Sequence, residues 1–359
     1  MTQASPDRRR FLQAAFALPA AWAVTGRRLV GQEPVVASRP PSTAGRVEVA
    51  PVVIRLEPLT PDQDSPVVTA MAIDTAGEWL AVAGDDLSIR ILDAAGLGEQ
   101  DRLMGHRDLI RSLSFRGDGE GLASAGNDGR LLTWKGGLPW VLADRTEGLP
   151  ALFRVRHSPD GKQLAAVGLR SDLMLIEASG TERLPCRCAD PRGLAYDETG
   201  QRLAVIGKTG DLWVLDPKSG ASLNESNRVG SRLRDVAFLP TTDKLVTAGE
   251  DGAVTVVDLS TGKVLRRIDL LPCKLFVVAV IDATTIATAG SDNRIRIVDC
   301  ESGKVIDHLD GHSGSISSLA IAAGYLFSGG YDTTVRRWRL GDRQSQRVAG
   351  REPSEGPNR

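Results

Sequence analysis

The stretch Leu122-Ala123-Ser124-Ala125-Gly126-Asn127-Asp128-Gly129-Arg130-Leu131-Leu132-Thr133-Trp134 reads as strand, tight turn, strand. The same grammar returns at Leu326-Phe327-Ser328-Gly329-Gly330-Tyr331-Asp332-Thr333-Thr334-Val335-Arg336-Arg337-Trp338. Working outward from Gly126 and Gly330, five more glycines fall into register: Gly84, Gly168, Gly207, Gly249 and Gly290, at intervals of 39 to 42 residues. A short apolar run precedes each, such as Leu80-Ala81-Val82-Ala83 or Leu245-Val246-Thr247-Ala248. At the same distance beyond each glycine stand Leu92, Trp134, Ile176, Leu215, Val257, Val298 and Trp338. Further upstream comes another strand, as in Leu113-Ser114-Phe115, closed by turns such as Ser158-Pro159-Asp160-Gly161-Lys162. Short alternating strands with Gly, Asn and Asp turns at regular spacing specify an all-β chain. A period of about 40 residues with four strands per unit specifies a propeller blade. No amphipathic helical stripe competes downstream of residue 23.

Composition narrows the function. The 359 residues are 42% hydrophobic and 25% charged, which suits a packed globular chain and excludes wholesale disorder. With 44 Lys and Arg against 45 Asp and Glu there is no basic excess of the kind a nucleic-acid binder carries. No apolar run approaches the ~18 residues a spanning helix needs. Four cysteines are too few for a disulfide scaffold. Cys186-Arg187-Cys188 puts two thiols on one side of a strand, but no further Cys or His stands in register for zinc. The expectation is four free thiols, no metal and no cofactor. Gly117-Asp118-Gly119-Glu120-Gly121 lacks the helix that follows a phosphate loop and reads as a hairpin turn.

Two units carry a full set of Gly-His, Ser, Asp and Trp: Gly105-His106, Ser124, Asp128, Trp134, and Gly311-His312, Ser328, Asp332, Trp338. This set resembles the signature of the WD-repeat family of β-propellers. Elsewhere it decays, keeping Thr247 with Asp251 and Thr288 with Asp292, while Arg170 and Thr209 stand at the Asp position of blades 3 and 4. The resemblance implies that His106 bridges Asp128 to Ser124 and that the hydroxyl passes the network on to the Trp134 indole. Those residues are then structural, not a catalytic triad, because the set recurs at the blade period. The expected fold is a seven-bladed propeller of four-stranded antiparallel blades over residues 47–340. Pro51-Val52-Val53-Ile54-Arg55-Leu56-Glu57 supplies the last blade's outer strand, which removes an exposed edge. Residues 341–359 form a polar tail.

The resemblance also implies a partner-binding face, made by the loops that lead into each blade and the turns before the tetrad Asp. The aligned positions are Thr69 and Asp85 in blade 1, then Leu109, Arg111 and Asn127 in blade 2. Blades 3 to 6 contribute Phe153 and Leu169; Arg192 and Lys208; Arg232, Arg234 and Glu250; and Lys274, Phe276 and Ser291. Blade 7 adds Ser315, Ser317 and Tyr331. Half of this rim is basic, and its natural partner is an acidic segment of another protein. The function expected is a non-enzymatic protein-binding scaffold; the alternative is a propeller enzyme or cofactor binder that uses the central channel.

The N-terminus reads as an address. Arg8-Arg9 followed by Phe11-Leu12 resembles the bacterial twin-arginine export signal, and Ala21-Trp22-Ala23 offers a cleavage site. Residues 1–23 are expected to be that signal and 24–46, with Pro34, Pro40 and Pro41, a linker. The destination is periplasmic or extracellular.

Overall fold

The structure, a computed structural model, describes residues 50–224 and 227–341. The segments expected to be export signal and linker lie outside the described residues, as does the tail beyond residue 341. The described residues form twenty-eight strands and no helix. They sort into seven antiparallel sheets of four strands. In blade 2 the strands from inside out are Ile110–Phe115, Gly121–Gly126, Leu131–Lys135 and Val141–Thr146. The inner strands of the other blades are Val68–Ile73, Leu152–His157, Pro191–Tyr196, Leu233–Leu239, Leu275–Val280 and Ile316–Ala322. Each inner strand packs on the next and the last on the first, so the ring closes around a channel.

Closure uses the chain's own N-terminal side. Val52–Arg55 pairs antiparallel with Thr334–Arg339, in register from Val52 opposite Arg337 to Arg55 opposite Thr334. The strand is shorter than the 51–57 expected from sequence. Leu56 turns inward and is buried against Val68 and Phe327, while the Glu57 carbonyl accepts the Arg90 guanidinium at 2.5 Å.

Second and third strands are almost wholly buried between neighbouring blades, and their apolar residues form the core. Leu113, Leu122 and Trp134 of blade 2, for example, pack on Ala81 and Ile91 of blade 1. Outer strands face water; every residue of Val141–Thr146 is exposed. The periodic glycine has a packing cause. A Cβ on Gly126 would lie 2.7 Å from the Leu109 carbonyl oxygen, and one on Gly207 2.7 Å from that of Ala189. In blades 2 to 6 the incoming loop thus crosses the second strand at a distance only glycine tolerates.

One regular feature escapes the sequence. Every inner strand carries a bulge, at Thr69, Arg111, Phe153, Arg192, Arg234, Phe276 and Ser317. A bulge leaves one residue unpaired and re-aims its side chain. In every blade the residue after the periodic glycine donates its N–H to the carbonyl two residues before the bulge, at 2.8 to 3.1 Å. That contact fixes the alignment of the divergent blades 3 and 4 with the rest. Blade 4 has the shortest outer strand, only Asn227–Arg228, supplemented by an isolated bridge from Leu215 to Ser222.

Candidate binding face

The two full tetrads form one-way hydrogen-bond chains. Trp134 Nε1 donates to Ser124 Oγ at 3.0 Å, Ser124 Oγ meets His106 Nε2 at 2.8 Å, and His106 Nδ1 reaches the Asp128 carboxylate at 3.1 Å. Blade 7 repeats the pattern at 2.8, 2.7 and 2.9 Å. Each donor is used once if the imidazole is neutral and carries its proton on Nδ1, so the Ser hydroxyl donates to Nε2. Burial pushes the His106 pKa down despite the nearby Asp128. Burial opposes ionisation of Asp332, but the hydrogen bonds it accepts from His312, the Ser313 N–H and Thr334 outweigh it and hold its carboxyl well below the usual range. The side chains are sealed in the blades, where they tie the turn to the strands.

Where the histidine is missing, other residues hold the turn. Arg90 in blade 1 is fully buried and reaches Asp86 at 2.7 Å. Arg296 does the same for Asp292 at 2.5 Å in blade 6. In blade 4 the residue at the expected Asp position, Thr209, hydrogen-bonds Asp211, and Asp211 accepts the Ala189 N–H at 3.3 Å. The turn Asp has thus moved two residues along. In blade 3, past Arg170, Ser171 Oγ accepts the Gly168 N–H at 2.7 Å.

The rim residues gather into two groups. Arg192 lies 4.2 Å over the Phe153 ring and 3.8 Å from the Asp190 carboxylate. Glu250 is the centre of the second group: Arg234 donates to it through Nε at 2.7 Å, Arg232 stands at 3.4 Å and Lys274 at 3.7 Å. Burial opposes the Glu250 charge, yet Arg234, Lys274 and Arg232 hold its pKa below the usual range. Arg234 also lies 6.0 Å over Phe276. Lys208 is exposed and joins neither group through an ion pair among the described residues. Tyr331 is enclosed from blade 7 within the field of Arg111 and Arg234, and burial raises its phenol pKa.

Arg111 belongs with them. Its Nε donates to Asn127 Oδ1 at 2.9 Å, a neutral partner. Arg111 is exposed to solvent, yet desolvation by the surrounding rim and then the repulsion of Arg234 lower its pKa, and Arg192 feels both Arg234 and Arg111. Three guanidiniums from blades 2, 4 and 5, all at bulge positions of inner strands, therefore lie within one another's field. The rim is basic, but less so than a count of its cations suggests, because Glu250 nests inside it. Among the described residues no group of three or more His, Cys, Asp or Glu could hold a metal ion. Cys186, Cys188, Cys273 and Cys300 are free thiols.

Comparison with known proteins agrees with this architecture. The family described as WD domain, G-beta repeat, matches residues 58–93, 99–135 and 303–339. The chain is similar to SEC12-like protein 1 of Arabidopsis thaliana, 27% identical over 250 residues that make up 65% of this chain and 62% of the relative. It is also similar to U3 small nucleolar RNA-associated protein 21 of Saccharomyces cerevisiae, 31% identical over 28% of this chain and 11% of that one. The chain spans less than two thirds of these relatives. Among solved structures it resembles the β-propeller domain of Myceliophteria thermophila Cps50 (Swd1), with a TM-score of 0.68, 18% identity, and coverage of 77% of this chain and 98% of that one. WD repeats are therefore present in three places within a seven-bladed propeller, a fold that commonly serves as a protein-interaction scaffold. No helix among the described residues is long and apolar enough to cross a membrane.

Proposed function

We propose that this protein is an exported, non-enzymatic scaffold that grips an acidic segment of a partner protein with the rim of blades 3 to 6. One observation carries the reading. Arg192, Lys208, Arg232, Arg234 and Lys274 stand on one rim with Glu250 and Asp190 as the carboxylates among them, and Phe153 and Phe276 lie beneath two of the guanidiniums. Positive charge steers an acidic partner in, and aromatic anchors hold it. The export part of the reading rests on Arg8-Arg9 with Phe11-Leu12.

A pull-down from the exported fraction identifies the partner, and binding kinetics then test the surface. Lys208→Glu with Arg232→Glu should slow association and flatten its salt dependence, because exposed charges act mainly on encounter. Arg234 is spared, since it is the closer and less exposed partner of Glu250, whereas the Arg232 side chain is mostly in solvent. Phe276→Ala should instead raise the dissociation rate. Unchanged rates in both variants would place the partner on another surface. Arg8→Lys with Arg9→Lys should hold folded precursor in the cytoplasm, as a guanidinium pair is not equivalent to two ammonium groups; normal export of that variant would remove the localisation.

A further inference from the structure

The seven inner strands share a position three residues beyond the bulge. Six blades place a small residue there: Ala72, Ser114, Ala195, Ala237, Ala279 and Ala320. Blade 3 places Arg156. Its Nη1 is occupied by Ser112 Oγ at 3.3 Å, the Leu113 carbonyl at 3.2 Å and the Val155 carbonyl at 3.0 Å. Nε and Nη2 have no acceptor among the described residues, and the side chain is only partly buried. The carboxylate in its field is already engaged: Asp235 accepts Arg154 Nη2 at 2.8 Å and the Val278 N–H at 3.1 Å. Two guanidiniums thus share one carboxylate inside the ring. The surroundings push the Arg156 pKa down to about 10, burial first and then the Arg154 charge.

Arg156 lines a cavity of about 300 Å³, open to solvent, between blades 2, 3 and 4, with Phe115, His157, Pro159 and Tyr196 around it. The two acidic residues on its wall differ. Asp197 is buried and spends its oxygens on Arg202 Nε at 2.9 Å and the Gln201 N–H at 2.9 Å, whereas Glu198 is exposed. His157 stays neutral at ordinary pH and adds no charge, because burial pushes its pKa down to about 4.

We propose that this cavity binds a small organic acid, its carboxylate held side-on by Nε and Nη2 of Arg156 and its apolar body against Phe115 and Pro159. The unused edge of the guanidinium is a two-donor fork that matches a carboxylate. A phosphate dianion fits less well, with Glu198 at the wall and a single cation to balance it. The site is separate from the rim, since Arg156 lies three residues beyond Phe153, about 10 Å along the strand.

The test uses the full-length protein with acetate, succinate and benzoate as probes, succinamide as the uncharged control and inorganic phosphate as the tetrahedral one, read by calorimetry and thermal midpoint. At least one acid should bind at a single saturable site. Arg156→Ala, which installs the residue five other blades carry, should weaken it at least tenfold. Arg156→Lys keeps the charge but loses the fork, and should also weaken it if the alanine variant folds poorly. Arg232→Glu on the rim should leave binding unchanged, which separates this site from the partner surface. No binding by any of the three acids, equal binding to Arg156→Lys, or Arg156-dependent binding of phosphate alone overturns the proposal.

Discussion

His157 ends the inner strand of blade 3, where its Nδ1 meets the Ser114 carbonyl at 3.0 Å. Burial pushes its pKa down to about 4, so the folded state refuses a proton that the unfolded chain accepts near pH 6.5. The contribution of the neutral ring is complete above about pH 6.5 and is lost as pH falls toward 4, by an amount of up to about 3 kcal/mol. His106 shifts in the same direction. Asp332 acts lower on the scale: its depressed pKa contributes stability that disappears only as pH falls below the ordinary carboxylate range. Thermal midpoints taken in half-unit steps should therefore fall from pH 7 to 4, and His157→Gln should flatten that slope without changing the curve above pH 7. An identical slope in the variant would show that the ring is not kept neutral by its surroundings. The tetrads were legible because each residue type is required: a ring to bridge, a hydroxyl to relay, an indole to donate. Arg90, Arg296 and Asp211 were not, because they reach the same turn from other strand positions, and no fixed spacing announces them.

At the scale of elements, the strand Val52–Arg55 is the latch of the ring. Without it, Thr334–Arg339 becomes an open edge, Leu56 leaves the core and Arg90 loses the Glu57 carbonyl. Deletion of residues 24–46 should leave the melting temperature nearly unchanged, whereas deletion of 24–57 should lower it steeply and promote association through the bared edge. Equal melting temperatures for the two truncations would mean that closure does not depend on this strand. The latch and the seven glycines could be read in advance since each answers a demand repeated in every blade. The bulges could not. Thr69, Arg111, Phe153 and Ser317 share no chemistry, because a bulge is a missing pair of backbone hydrogen bonds and any side chain can occupy it. For the same reason Arg111 could be placed on the rim, but its coupling to Arg192 and Arg234 could not be read.

Across the whole molecule the blades are joined by side chains that reach a neighbour's backbone. Ser112 accepts the Val155 N–H at 3.1 Å, Asp235 that of Val278 at 3.1 Å, and Ser318 that of Met71 at 2.9 Å, each one blade onward. Arg154 breaks the pattern by reaching two blades onward to Asp235 at 2.8 Å. The corresponding residue of the blade between is Gly193, where a Cβ would press on the Ile206 side chain at 3.0 Å. The period alone places residues 154 and 235 at equivalent positions in blades 3 and 5, but it does not announce that they meet across the blade between. The pair is well buried, with 17% and 6% of the side chains exposed, and the buried Arg154 Nε finds no partner among the described residues. A guanidinium so placed depends on its carboxylate. Asp235→Ala should therefore cost about 3–5 kcal/mol in urea unfolding, as removal of one partner of a buried pair does. Adding Arg154→Met should recover part of that loss, because the stranded charge disappears while the Val278 N–H stays without its acceptor. If Asp235→Ala costs less than about 1 kcal/mol, within the range of exposed pairs, channel water screens the bridge and the blades are held by packing alone. A double variant no more stable than the single one would lead to the same conclusion by an independent route.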